Sequence, residues 1–219
     1  MTSDLDIKLQ VTEIFHSIQG ESSHAGKPCT FVRLTGCSLR CGYCDTKYSY
    51  SGGHAMKIGE VLDKISGYPT RLVEITGGEP LEQDASIHLM EQLLTTGYTV
   101  MVETGGHVGI ERVPGSVIKI IDVKCPDSGE FGTFCMDNIR LAAPHDEFKF
   151  VISSRADYEW SRSFYNEKLE AQSQTVLFSP TFEVLPSVHL AEWILSDGLR
   201  VRLGLQIHKH IWNPMLRGV

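Results

Sequence analysis

The sequence predicts an α/β protein, a partial and open (β/α) barrel. Short β-rich runs alternate with helix-length amphipathic segments, and such alternation implies parallel strands joined by helical crossovers. The chain has 219 residues, fewer than the roughly 250 typical of a complete eight-fold barrel. The motifs that carry chemistry all fall where strands should end, the side on which such sheets carry their sites.

Residues 30–34, 72–76, 98–102, 117–121, 148–152 and 175–178 are rich in β-branched and aromatic side chains and read as strands. Residues 56–65, 84–95, 156–171 and 187–195 carry apolar residues at three- and four-residue spacing and read as helices, the last with Ser187 as a cap. Two crossovers, residues 103–116 and 124–145, are too rich in glycine or too irregular for full helices. No repeat or Pro/Ser-rich linker divides residues 1–219, so one domain is expected. An open barrel leaves strand edges bare. A loop, the substrate or a second subunit must cover the missing wall, and a homodimer is the commonest closed solution.

With 20 Lys+Arg against 27 Asp+Glu the formal charge is −7, which argues against a nucleic-acid backbone as partner and favours a small molecule or a protein. No run approaches the ~20 apolar residues that would cross a membrane. The stretch from Met1 to Gln10 is largely polar and has no secretory core. The expected compartment is the cytoplasm, where cysteines stay reduced and disulfides are disfavoured.

Three cysteines then decide the chemistry. Gly36-Cys37-Ser38-Leu39-Arg40-Cys41-Gly42-Tyr43-Cys44-Asp45 brings three thiols together at the spacing Cys-x3-Cys-x2-Cys. Structural zinc requires a fourth ligand, which Cys29, Cys125 or Cys135 would have to supply, and it usually joins two separated cysteine pairs. A cubane iron–sulfur cluster can be held by three thiolates, which leaves one iron open to a small molecule. This spacing resembles the signature of the radical S-adenosylmethionine (SAM) enzymes, and the resemblance implies a barrel of the radical SAM type. It also implies a 4Fe–4S cluster on Cys37, Cys41 and Cys44, with SAM chelated at its open iron and an electron donor such as flavodoxin or ferredoxin.

Thr76-Gly77-Gly78-Glu79-Pro80 sits where the second predicted strand ends. By itself it is a tight turn in which glycines allow positive φ or a close backbone approach. One βα unit after the cysteine loop, it matches the family motif that holds the methionine amine of SAM, so Gly77, Gly78 and Glu79 are expected at the cofactor. Glu103 places an acid at the next strand end, suited to ribose hydroxyls or to a plain strand cap. Asp122 and Lys124 lie two apart and therefore on one face of an extended strand, which also fits a surface salt link. Relatives read Ser-Pro-Lys here and line the cofactor with it. Lys124 transfers directly, whereas Asp122 and Val123 depart from the pattern. The resemblance adds Tyr43 and Asp45 of the cysteine loop to the SAM contacts.

The flanking segments narrow the family. Glu13-Ile14-Phe15-His16-Ser17-Ile18-Gln19-Gly20-Glu21, Phe31-Val32-Arg33-Leu34-Thr35-Gly36-Cys37 and Cys44-Asp45-Thr46-Lys47-Tyr48 together closely resemble the 7-carboxy-7-deazaguanine synthases of deazapurine and queuosine biosynthesis. The likeness returns at Gln206-Ile207-His208-Lys209. It implies a carbon–nitrogen lyase that contracts the ring of 6-carboxy-5,6,7,8-tetrahydropterin to 7-carboxy-7-deazaguanine and releases ammonia. It also implies substrate contacts at Ile18, Gln19, Gly20, Glu21, Arg33 and Thr76. Arg33 offers a planar fork of donors to a carboxylate, and Gln19 offers a donor and an acceptor to a pterin edge.

Thr46 would ordinarily be a turn residue. The family binds Mg²⁺ at the matching threonine together with substrate oxygens, in keeping with a hard ion held by few protein groups. His208 and His210 are expected to alternate on a final strand, as a packed or solvated pair more readily than as metal ligands. Relatives finish near the position of Pro214 and use the terminal carboxylate at the substrate, whereas Pro214 is internal here. Two other classes share parts of this pattern. An activase for a glycyl-radical enzyme would keep the cysteine loop and Gly-Gly-Glu-Pro but has no use for Gln19, Arg33 and Thr46. A non-catalytic metal or electron-transfer module would need no SAM site.

Overall fold

The computed structural model describes residues 4–219, so the start of the polar Met1 to Gln10 stretch lies outside the described residues. In chain order the elements are β1 (Lys8–Ile18), β2 (Pro28–Leu34), β3 (His54–Lys57), α1 (Ile58–Ser66), β4 (Leu72–Gly77), α2 (Ala85–Thr95), β5 (Thr99–Thr104), β6 (Ile118–Asp122), α3 (Asp137–Leu141), β7 (Glu147–Ile152), α4 (Arg155–Phe164), β8 (Thr175–Pro180), α5 (Ser187–Asp197), β9 (Arg202–Leu203) and α6 (His208–Ile211). Among the described residues nine strands form one sheet in the order β3-β1-β2-β4-β5-β6-β7-β8-β9, with β3 and β9 at its two ends. From β2 through β9 every neighbouring pair is parallel, whereas β1 runs antiparallel to β2 and β3. The sheet is an open βα barrel, as the sequence predicts.

Period-two alternation divides each strand between two environments. Val32 and Leu34, Val73 and Ile75, Val100 and Val102, and Phe148 and Phe150 turn outward into the main core, where Leu89, Leu93, Tyr158 and Leu190 of the helices cover them. The alternate positions face the concave interior. At the bottom of that interior Cys29, Phe31, Leu72, Met101 and Ile120 form a separate apolar plug. Above the plug the inward positions become polar: Arg33, Glu74, Thr76, Glu103, Asp122 and Lys149.

All six predicted strands form, each within two residues of its expected ends. The long β1, the short β3 and the two-residue β9 are not legible as strands; β1 mixes polar and apolar side chains with only partial burial, and β9 is too short to show a pattern. Pairing of Met56 and Lys57 with Leu9 and Lys8 delays the first helix to Ile58. The helix expected at residues 156–171 is α-helical only to Phe164 and continues as a π-helical turn, Tyr165–Leu169. Ser187 is the first helical residue and Pro186 holds the cap position. The final strand expected around His208 and His210 is instead the single helical turn α6. That turn is closed by bonds from Lys209 N to Gln206 O and from Trp212 N to His208 O.

Candidate active site

The carboxyl ends of the parallel strands open into a cavity of about 640 Å³. Cys37, Cys41 and Cys44 stand along one side, and Tyr43, Asp45, Thr46, Gly77, Gly78, Glu103, Asp122 and Lys124 line it with them. Ile18, Gln19, Gly20, Glu21, Arg33 and Thr76 line the same cavity. Two expected cofactor residues stand behind its wall. Val123 is buried in the main core, its N–H donating to Lys149 O at 2.8 Å. The Glu79 carboxylate points away and accepts from Leu81 N at 3.0 Å, Thr104 Oγ1 at 2.8 Å and Gly105 N at 2.7 Å. Glu79 thus ties the end of β4 to the end of β5, and burial raises its pKa against those three donors.

The glycines of the turn first serve the protein itself. At Gly77, φ is +127°, and a Cβ there would meet the backbone of Leu34. Gly78 has no unusual φ, yet a Cβ would stand 1.7 Å from the Gly36 carbonyl oxygen and 3.1 Å from Cys37 N. The turn and the cysteine loop therefore lie backbone against backbone, fastened by Gly78 N to Leu34 O at 3.0 Å and Glu79 N to Gly36 O at 2.7 Å.

Burial pushes the Cys37 thiol up to about 11, with a smaller push from Glu82 and Glu79, and burial raises Cys41 against the pull of Lys124. Among the described residues no three His, Cys, Asp or Glu side chains converge on a single-ion site. A cubane spaces its thiolate ligands more widely than one zinc ion does, so three thiols along a cavity wall suit the cluster. Among the described residues the buried Tyr43 hydroxyl has no hydrogen-bond partner, which leaves it as a donor for a ligand in the same cavity.

Lys149, on β7, organises the interior. Its Nζ donates to Glu21 Oε2 at 2.9 Å and to Glu103, and lies 3.4 Å from Asp122 Oδ1. Burial alone would lower its pKa, but Asp122, Glu103 and Glu21 outweigh burial and hold the ammonium well above its ordinary range. Asp122 also accepts from Lys124 at 2.7 Å, and the two lysines overcome burial to keep it ionised. The Asp122–Lys124 pair is a salt link, as the surface alternative expected, but a buried one. Glu103 is raised, chiefly by burial against the pull of Lys149, and also accepts from Thr76 Oγ1 at 3.3 Å.

Arg33 donates through Nε to Glu13 Oε1 at 2.8 Å and stands beside the rings of Phe15 and Tyr48. Among the described residues its two terminal nitrogens donate no protein hydrogen bond, and Arg33 lines the cavity. Residues 206–219 complete the wall. Ile207 N donates to Gly20 O at 2.9 Å, Gln206 Nε2 to Glu21 Oε1 at 2.8 Å, and Lys209 Nζ to Asp45 Oδ2 at 2.6 Å. The His208 ring packs so tightly on Gly20 that a Cβ there would overlap it. Pro214 and Val219 both line the cavity, and Arg217 stacks 3.9 Å from the Tyr48 ring centre.

A model of the radical SAM superfamily matches residues 31–115. The 7-carboxy-7-deazaguanine synthase of Koribacter versatilis is 48% identical over 96% of this chain and 100% of its own length. The chain belongs to the 7-carboxy-7-deazaguanine synthase family. The synthase of that name from Chlorobaculum tepidum is 45% identical over 96% of this chain and 97% of its own. A crystal structure of QueE from Escherichia coli superposes with a TM-score of 0.77 at 23% identity, over 91% of this chain and 94% of that one, and so shares its fold. Membership in a radical SAM family implies a 4Fe–4S cluster and SAM. In this member of the 7-carboxy-7-deazaguanine synthase family, Cys37, Cys41 and Cys44 are suited to hold that cluster. The glycine turn, Tyr43, Glu103, Asp122 and Lys124 surround the space beside them.

Sequence reading missed Glu74, Lys149 and the wall made by residues 213–219. The first two carried a signal. Glu74 is the lone charge of β4, in Leu72-Val73-Glu74-Ile75, and Lys149 interrupts the apolar run Phe148-Lys149-Phe150-Val151 of β7, each at a position whose neighbours turn the other way.

Proposed function

We propose that this chain is a radical SAM carbon–nitrogen lyase that contracts 6-carboxy-5,6,7,8-tetrahydropterin to 7-carboxy-7-deazaguanine and releases ammonia, in deazapurine and queuosine biosynthesis. One observation carries the reading: the three thiols, the glycine turn and the donors of Arg33, Gln19 and Thr76 line a single cavity. When bound beside Cys37, Cys41 and Cys44, the cluster and SAM would supply radical hydrogen abstraction at C6 of the pterin. The protein's own residues position that carbon. The free guanidinium nitrogens of Arg33 suit the substrate carboxylate as a bidentate fork. Thr76 and Glu103, joined by their hydrogen bond, link the substrate side of the cavity to the cofactor side. Residues 213–219 add a stretch of wall to the cavity, which limits how much water reaches a site of radical chemistry.

Mg²⁺ belongs to the same proposal. The Thr46 hydroxyl lines the cavity, 3.6 Å from Cys44 Sγ, and one hydroxyl suffices for this ion only with substrate oxygens and water in the remaining positions. The proposed setting is the cytoplasm, with a flavodoxin or ferredoxin as electron donor. Among the described residues no helix is long and apolar enough to cross a membrane. A homodimer is proposed because the sheet is open and its edge strand β9 carries exposed Leu203. A monomer by light scattering at micromolar concentration would refute the dimer. Anaerobic turnover of the reconstituted protein with carboxytetrahydropterin and SAM should yield carboxydeazaguanine and ammonia in equal amounts, with the hydrogen taken from C6 returned to the product side and SAM regenerated. Cleavage of SAM unaffected by the pterin would refute the assignment and favour an activase.

A further inference from the structure

Glu74 stands on β4 two residues before Thr76, so both side chains face the cavity. It is 3% exposed and sits just above the apolar plug, with its strand partner Phe31 and neighbour Leu72 among the plug residues. An ionised carboxylate has about four acceptor sites, and here the protein fills one, through Gln19 Nε2. Among the described residues no cation touches it. Lys149 is bonded to Glu21 and Glu103, and Lys124 to Asp122. Burial, Glu103 and Glu21 all raise its pKa, against weaker pulls from Lys149 and Gln19, so the ionised form that accepts at both oxygens depends on donors supplied from the cavity.

A buried acid without a counter-cation is costly to the fold, and the apolar residues directly below show what packing alone would put there. What the carboxyl lacks is hydrogen-bond donors, and the space in front of it is cavity. Arg33 pairs with Thr76 across β2 and β4, and Phe31 pairs with Glu74. The acid and the guanidinium are therefore offset by two residues along the strands, about 6.6 Å. One presents acceptors and the other donors, at opposite ends of a space suited to a flat bicyclic ring.

We infer that Glu74 is a specificity-determining residue that accepts hydrogen bonds from the 2-amino group and ring N3–H of the pterin, while Arg33 takes the carboxylate at the other end. The inference rests on the pterin reading above. Two adjacent N–H donors match the two oxygens of one carboxyl, a bidentate fit that a 2-oxo ring cannot make. Gln19, fixed against the carboxyl, sets its plane. Glu74 thus recognises the part of the substrate that the reaction leaves unchanged.

The test is anaerobic equilibrium binding of 6-carboxypterin, a fluorescent pterin, and of its 2-oxo analogue 6-carboxylumazine, to wild type, E74Q and E74V. Melting temperature and iron content serve as controls for folding. Wild type should prefer the 2-amino ligand. E74Q, which turns an acceptor into a donor, should weaken 6-carboxypterin binding roughly 10- to 100-fold and reverse or abolish the preference. E74V, which keeps a packed strand position, should abolish it. Equal affinity of wild type and both variants for 6-carboxypterin, or a 2-amino preference that survives in E74V, would overturn the role of Glu74 while leaving the pterin reading intact. A wild-type protein that binds neither ligand would overturn both.

Discussion

Gly78→Ala should loosen the cysteine loop although it replaces none of the three thiols. The added Cβ would stand 1.7 Å from the Gly36 carbonyl oxygen, 2.4 Å from its carbon and 3.1 Å from Cys37 N. All three atoms are backbone, so no side chain can swing aside and the two segments must part by more than an ångström. Overpacking of this kind typically costs about 1–3 kcal/mol. The parting also breaks the 2.7 Å bond from Glu79 N to Gly36 O, worth about 1 kcal/mol. A total of about 2–4 kcal/mol lowers Tm by roughly 5–15 °C in a chain of this size. The assay is thermal unfolding of cluster-free protein by circular dichroism, paired with iron analysis after anaerobic reconstitution. Gly115, where a Cβ meets nothing within 4 Å, provides the control: Gly115→Ala should melt with wild type. A Gly78→Ala protein that also melts with wild type and binds its full iron would refute the claim that this glycine exists for close backbone approach.

Replacing Cys37, Cys41 or Cys44 by Ala should abolish cluster binding, whereas single Ala variants of Cys29, Cys125 and Cys135 should keep it; iron and sulfide analysis decides, and loss of iron at two of the latter would refute the ligand set. Arg33→Lys keeps the charge but loses the planar fork and should lower kcat/KM roughly 10- to 100-fold. SAM cleavage without pterin should be unaffected, and normal turnover by this variant would remove Arg33 as the carboxylate anchor. A cluster-poor Arg33→Lys protein would instead assign the residue to its bond with Glu13. Thr46→Ala should raise the Mg²⁺ concentration needed for half-maximal turnover at unchanged iron content, and equal dependence in variant and wild type would exclude Thr46 from the metal site.

The sheet was legible because its parallel strands are apolar on the helix-facing side and each is bounded by an amphipathic crossover. The pattern fails where tertiary contacts override it. Strand β1 is only partly buried along much of its length, and the segment at His208 folds into a turn because Gln206, Ile207 and Lys209 are each held by a distant partner. The candidate site was legible through local motifs, since cysteine spacing and glycine turns act over a few residues. Glu79 shows the limit. Its place in the motif suggests a ligand, yet the fold turns its carboxylate onto Leu81, Thr104 and Gly105. Lys149 is the converse, a residue whose importance lies in carboxylates from β1, β5 and β6 or their ends that only the closed interior brings to it.

The wall built by residues 206–219 has a kinetic consequence. Its contacts with the first third of the chain span very long sequence separations, 185 residues for Gln206 with Glu21 and 164 for Lys209 with Asp45. Closing such loops is entropically expensive and follows local structure during folding. The sheet can therefore form before the cavity is enclosed. In the native protein the order reverses: segments held by few, exposed bonds open at free energies well below global unfolding. Amide protons of Ile207 and Lys209 should exchange with solvent long before those of β4 and β5, which places the opening of the substrate chamber, rather than loss of the fold, at the front of the unfolding sequence.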